Sequence, residues 1–84
     1  MRLPIIKHTL GFIKENDEDY IHETLEVLEN FADARGIKDE ELEVIGELVS
    51  NLYGALEVNQ EIKNGTPEKE ALNAFMKRVQ AAIE

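Results

Sequence analysis

One segment restricts what this chain can fold into more than any other. From near Asp39 to about Asn64 a helical pattern runs without a proline, and Gly65 ends it. At 1.5 Å per residue such a helix is about 37 Å long. A globule of this chain's length has a radius of gyration of only about 12 Å. On a wheel of 3.6 residues per turn, Leu42, Ile45, Val49, Leu52, Tyr53 and Leu56 form one face. Val44, Leu48, Ala55, Val58 and Ile62 extend it, with Asn51 and Asn59 interspersed. The apolar arc spans about 220°, more than twice the ~100° that a surface helix needs. One layer of neighbouring helices covers part of it. The remainder requires another partner, and a second copy of the chain is the simplest one.

Gly46, Ser50 and Gly54 lie at four-residue spacing on the opposite edge of that face, among Glu43, Glu47, Glu57 and Glu61. Each interior glycine costs roughly 1 kcal/mol relative to alanine. A small-residue stripe admits a second backbone at close range. Two accounts stay open: a tight crossing, within the chain or across a dimer, or small residues beside a solvated face. Asn51, Tyr53 and Asn59 either fix the register of an interface by hydrogen bonding or are ordinary boundary positions.

Three shorter helices accompany the long one, and no strand pattern appears. The first covers about residues 4–15, with Pro4 in its first turn and Ile5, Ile6, Leu10 and Ile13 on one side. The second covers about 18–35. Asn16 or Asp17 caps it, and Arg35 and Gly36 mark its end. Its stripe of Ile21, Leu25, Leu28 and Ala32 is widened by Tyr20, Thr24, Val27 and Phe31. The third and longest covers about 40–64. The fourth covers about 67–83, opens on Thr66-Pro67-Glu68, and buries Leu72, Phe75, Met76, Val79 and Ile83. Short connections predict an all-α, compact antiparallel four-helix bundle, a single domain over 1–84.

Eighteen acids against nine bases give a net charge of −9. Residues 15–61 carry fifteen acids against only Arg35 and Lys38. Such a surface repels phosphate backbones, which argues against nucleic-acid binding. It suits solubility or, as a second reading, a basic protein partner. No segment approaches the roughly 20 apolar residues of a membrane span. The amphipathic, basic first helix, with His8 at its border, reads as a core helix rather than a membrane anchor. The absence of cysteine excludes thiolate chemistry and suits the cytoplasm.

No constellation carries catalysis, and no cofactor is implied. Glu18, His22 and Glu26 share a helix face, but Glu29 and Asp33 lie there too, as on an exposed acidic helix. A diiron bundle needs paired Glu-x-x-His motifs, and only Asp19-x-x-His22 comes near. The segment "GIKDEEL" fails the calcium-loop register, with Leu42 where a bidentate glutamate belongs. No phosphate loop or nucleophile elbow is present.

The stretches "IKHTLGFIKENDEDYIHETLEVLENFAD", "KDEELEVIGELVSNLYGALEV" and "ALNAFMKRV" resemble a small uncharacterised all-helical bacterial family, a domain of unknown function, over nearly the full length. The resemblance brings no catalytic or ligand residue. It implies gene neighbourhood with thioredoxins and peroxiredoxins, hence an accessory place in a thiol-redox system without thiol chemistry of its own.

The sequence therefore reads as a non-enzymatic helical interaction module that homodimerises mainly through its third helix. The expected interface comprises Gly46, Ser50, Gly54, Val44, Leu48, Asn51, Ala55, Val58 and Ile62. The alternatives are a small-molecule or metal-binding helical protein or small helical enzyme, which needs polar groups converging inside the bundle, and an acidic adaptor for a basic partner.

Overall fold

The computed structural model describes the backbone of residues 3–83 and the side chains of residues 3–80. Four α-helices follow one another: α1 (Leu3–Glu15), α2 (Asp19–Asn30), α3 (Asp39–Lys63) and α4 (Glu68–Ile83). A short 3-10 turn, Phe31–Asp33, prolongs α2. No strand occurs among the described residues.

Local chemistry sets the boundaries. Asp17 starts α2: its carboxylate accepts the Asp19 N–H at 3.1 Å, satisfying one donor of the first turn. At the start of α3, Glu41 reaches back to accept the Lys38 N–H at 3.0 Å. The end of α3 is a Schellman turn. The Thr66 N–H bonds the Glu61 carbonyl and the Gly65 N–H bonds the Ile62 carbonyl, each at 3.0 Å. Gly65 adopts φ +105°, a conformation side chains disfavour, which is why glycine stands there.

The end of α2 differs from the expected boundary near Arg35. The α-helix stops at Asn30 and tightens into the 3-10 turn, and Ala34 is extended (φ −70°, ψ 135°). Gly36, at φ +80°, serves the reversal toward α3 rather than the helix cap itself. The tightened turn gives terminal carbonyls partners over a shorter span.

Ion pairs and contacts show the directions. Lys63 meets Glu18, and Tyr53 meets Glu29, so α2 runs antiparallel to α3. Arg78 meets Glu57, so α4 is antiparallel to α3 as well. Leu52 and Ile5 line the same groove, and Lys14 meets Glu68 just past the end of α3, so α1 runs with α3. The bundle is up-down-up-down.

Its core is one-sided. Ile6 and Leu10 of α1, Ala55 and Val58 of α3, and Ala71, Leu72 and Phe75 of α4 form one buried cluster, edged by Leu3, Ile62, Met76 and Val79. Ile21 and Leu25 of α2 are buried outside that cluster. Ile83 lies outside the described side chains. The molecule is a slab with a least dimension of 17 Å and a radius of gyration of 13.8 Å. That radius exceeds the ~12 Å of a compact chain this long.

Candidate functional site

The ridge Val44–Leu48–Asn51–Ala55–Val58–Ile62 of α3 is divided. Asn51, Ala55 and Val58 are buried, and Ile62 is half-buried against the same core. Asn51 donates its amide to the Glu47 carbonyl at 2.8 Å, which gives this fully buried polar side chain a partner. Toward the helix N-terminus the cover runs out: Leu48 is 38% exposed and Val44 60%. Among the described residues, the cluster that α1 and α4 help to build draws its α3 members, Ala55 and Val58 edged by Ile62, from the C-terminal half of that helix.

The small-residue stripe is divided in the same way. Gly54 is buried, on the α3 edge whose neighbours Glu57 and Val58 line the cleft against Phe75 and Arg78 of α4. Gly46 and Ser50 are exposed, and a Cβ built on Gly46 would meet nothing within 4 Å. Of the nine expected interface residues, then, Asn51, Gly54, Ala55, Val58 and most of Ile62 are covered by the chain itself. Val44, Leu48, Gly46 and Ser50 remain at the surface.

A second exposed stripe lies on α2. Tyr20, Thr24, Val27 and Phe31 recur at helical spacing and are all exposed. Between this stripe and α1 runs an open groove of about 610 Å³, with Leu52 of α3 also in its lining. Pro4, Ile5, His8, Thr9 and Phe12 supply its α1 side. Phe12 and Tyr20 meet edge to face, with ring centroids 5.7 Å apart. A second groove of about 470 Å³, lined by Leu28, Phe31, Val44 and Ile45 with Glu40 and Glu41, opens between α2 and the N-terminal part of α3. Along α2, Val27 falls in sequence between the residues that line the two grooves, and along α3 Leu48 does the same. Seven large apolar side chains are exposed among the described residues: Phe12, Tyr20, Phe31 and Val44 line these grooves, Val27 and Leu48 continue the same helical stripes between them, and only Tyr53 stands apart from this valley.

The valley holds few polar side chains: His8, Tyr20, Thr9 and Thr24 in the larger groove, Glu40 and Glu41 in the smaller. The hydroxyl of Thr9 donates to the Ile5 carbonyl at 2.8 Å and that of Thr24 to the Tyr20 carbonyl at 2.7 Å. Both therefore turn their polarity back onto their own helices. Among the described residues, no group of three His, Cys, Asp or Glu side chains is placed to hold a metal ion. The arrangement suits an apolar helix face laid along it.

Charged groups clasp α2 to α3 away from the valley. Tyr53 donates to Glu29 at 2.5 Å, and that carboxylate pushes the phenol above its ordinary value. The Glu18 carboxylate accepts from Lys63 at 2.5 Å and lies 3.4 Å from His22. The Lys63 hydrogen bond, aided by His22, holds the Glu18 carboxyl below its ordinary value. A depressed carboxyl contributes stability above its unfolded pKa and loses it as pH falls through the folded one. Lys63→Met is accordingly expected to cost up to about 1 kcal/mol at pH 7, the scale of a partly exposed pair. Urea titrations should show the gap between variant and parent closing as pH drops below about 4.

The model for a family of unknown function, DUF6952, matches residues 1–84. The chain belongs to that family. No curated protein and no solved structure matches the DUF6952 chain. Among its described residues, no helix is long and apolar enough to cross a membrane. What sequence reasoning missed in this DUF6952 member is the α2 side of the valley. Tyr20, Val27 and Phe31 read as a widening of the buried stripe of α2, although overwidth was the same signal that marked α3 for a partner.

Proposed function

We propose that the chain is a non-enzymatic helical interaction module that homodimerises, with α3 at the centre of the contact. One observation supports this most strongly. The chain exposes 6098 Å², whereas a folded monomer of its mass exposes about 5,100 Å². The surplus of about 1,000 Å² resembles the ~800 Å² that each partner contributes to a standard interface. It accompanies an apolar valley, the kind of surface that marks an interaction site. With no cysteine in the chain, we place the module in the reducing cytoplasm.

A second reading, an acidic adaptor for a basic partner, draws on the fifteen acids of residues 15–61. Salt separates the two. Two copies that each carry −9 repel one another, and added salt screens that repulsion across a Debye length of about 10 Å at 0.1 M. Sedimentation equilibrium between 50 and 500 mM NaCl should therefore show a dimer that tightens with salt. An acidic adaptor would instead release its basic partner as salt rises, and the purified chain would sediment as a monomer throughout.

A further inference from the structure

We propose that two copies pair valley to valley about a two-fold axis. The α2 stripe Tyr20–Val27–Phe31 of one copy lies over Val44 and Leu48 of the other, and Gly46 and Ser50 stay in solvent. This inference rests on the homodimer reading and specifies its surface. A two-fold contact is self-complementary, so each copy must offer both halves of it on one face. The valley does so, since its two apolar stripes belong to adjacent helices and both are exposed.

The chemistry of the lining selects the occupant. The hydroxyls of Thr9 and Thr24 are engaged within their own helices, so the larger groove offers mostly carbon, with the His8 imidazole and the Tyr20 hydroxyl as its remaining polar side-chain groups. A polar ligand would find little to hydrogen-bond there, whereas an apolar helix stripe loses nothing. The charge pattern points the same way. A strongly acidic chain can meet itself only where its acids are sparse, and no acid lines the larger groove. Glu40 and Glu41 flank the smaller one, but they sit in the first turn of α3, where the helix dipole favours negative charge. Area agrees as well. The surplus surface is of the size that one partner covers in a stable dimer, while a small molecule in an open groove would leave most of it wet.

The test uses the full chain with Val27→Glu, Leu48→Glu and Ser50→Arg, each at an exposed position, with circular dichroism confirming that all three fold. Sedimentation equilibrium reads the dimer constant. Val27→Glu and Leu48→Glu are each introduced twice per dimer and should weaken association by at least about tenfold through desolvated like charge. Ser50→Arg should leave it within about twofold, as expected for a surface site outside the contact. Cross-linking gives an independent reading, and the cysteine-free background makes it clean. An oxidised mixture of Val27→Cys and Leu48→Cys chains should yield disulfide-linked dimers, and a mixture of Val27→Cys and Ser50→Cys chains should not. A parent chain that is monomeric at 100-micromolar concentration would overturn the homodimer reading and this inference with it. A parent dimer that Ser50→Arg dissociates, and that both glutamate variants leave intact, would overturn this inference alone and move the contact to the small-residue edge.

Discussion

Phe75→Ala is expected to remove about 3–5 kcal/mol of folding stability, the range for truncating a buried aromatic side chain. Phe75 is only 5% exposed and belongs to the cluster that joins α1, α3 and α4. Its ring is the only aromatic in that cluster and its largest side chain. Among the described residues those three helices share no second buried cluster. A chain of 84 residues carries roughly 4–13 kcal/mol in total, so the change consumes a large part of it. Thermal melts at fixed protein concentration should show the midpoint falling by more than about 12 °C. A loss under about 1 kcal/mol would place the junction of the three helices elsewhere.

The two glycines of α3 are expected to respond with opposite signs. Gly54→Leu introduces a branched side chain at a buried helical position, one turn before Glu57 and Val58, which line the cleft against α4. Overpacking of this kind costs about 1–3 kcal/mol and occasionally more, although leucine regains up to about 1 kcal/mol of helix propensity. Gly46→Ala adds a methyl where nothing lies within 4 Å, so only the propensity gain of about 0.5–1 kcal/mol remains. Urea unfolding of both variants measures the contrast. A destabilising Gly46→Ala would mean that a second backbone approaches that edge in solution, and a neutral Gly54→Leu would mean that α4 does not press on it.

This contrast shows what could be read from the residues and what could not. The existence and order of the four helices were legible because each has its own signals: Pro4, Asp17 with its acidic turn, Gly65, and Thr66-Pro67. Those signals act within a few residues, so the chain alone carries them. The end of α2 was less legible. Phe31 to Arg35 is compatible with helix, and only the reversal toward α3 selects the tighter turn. The fate of the Gly46–Ser50–Gly54 stripe was not legible, because three equivalent positions on a wheel become different once the fold buries Gly54 and leaves Gly46 and Ser50 exposed. The same holds for the long ridge of α3. Sequence marks Val44 and Val58 alike as apolar, and the limited reach of α1 and α4 alone decides that one is wet and the other dry.

The Schellman turn after Lys63 bears on the order in which the molecule assembles. Joining α4 to α3 closes a connection of a few residues, with Gly65 already suited to the bend. Seating Ile6 and Leu10 of α1 on Ala55 and Val58 closes a loop of nearly fifty residues, at an entropic cost greater by about 2 kcal/mol. The α3–α4 hairpin is therefore expected to form early and α1 to dock late. Since α1 also forms one wall of the valley, the segment that completes the core last is the same one that shapes the surface for a partner.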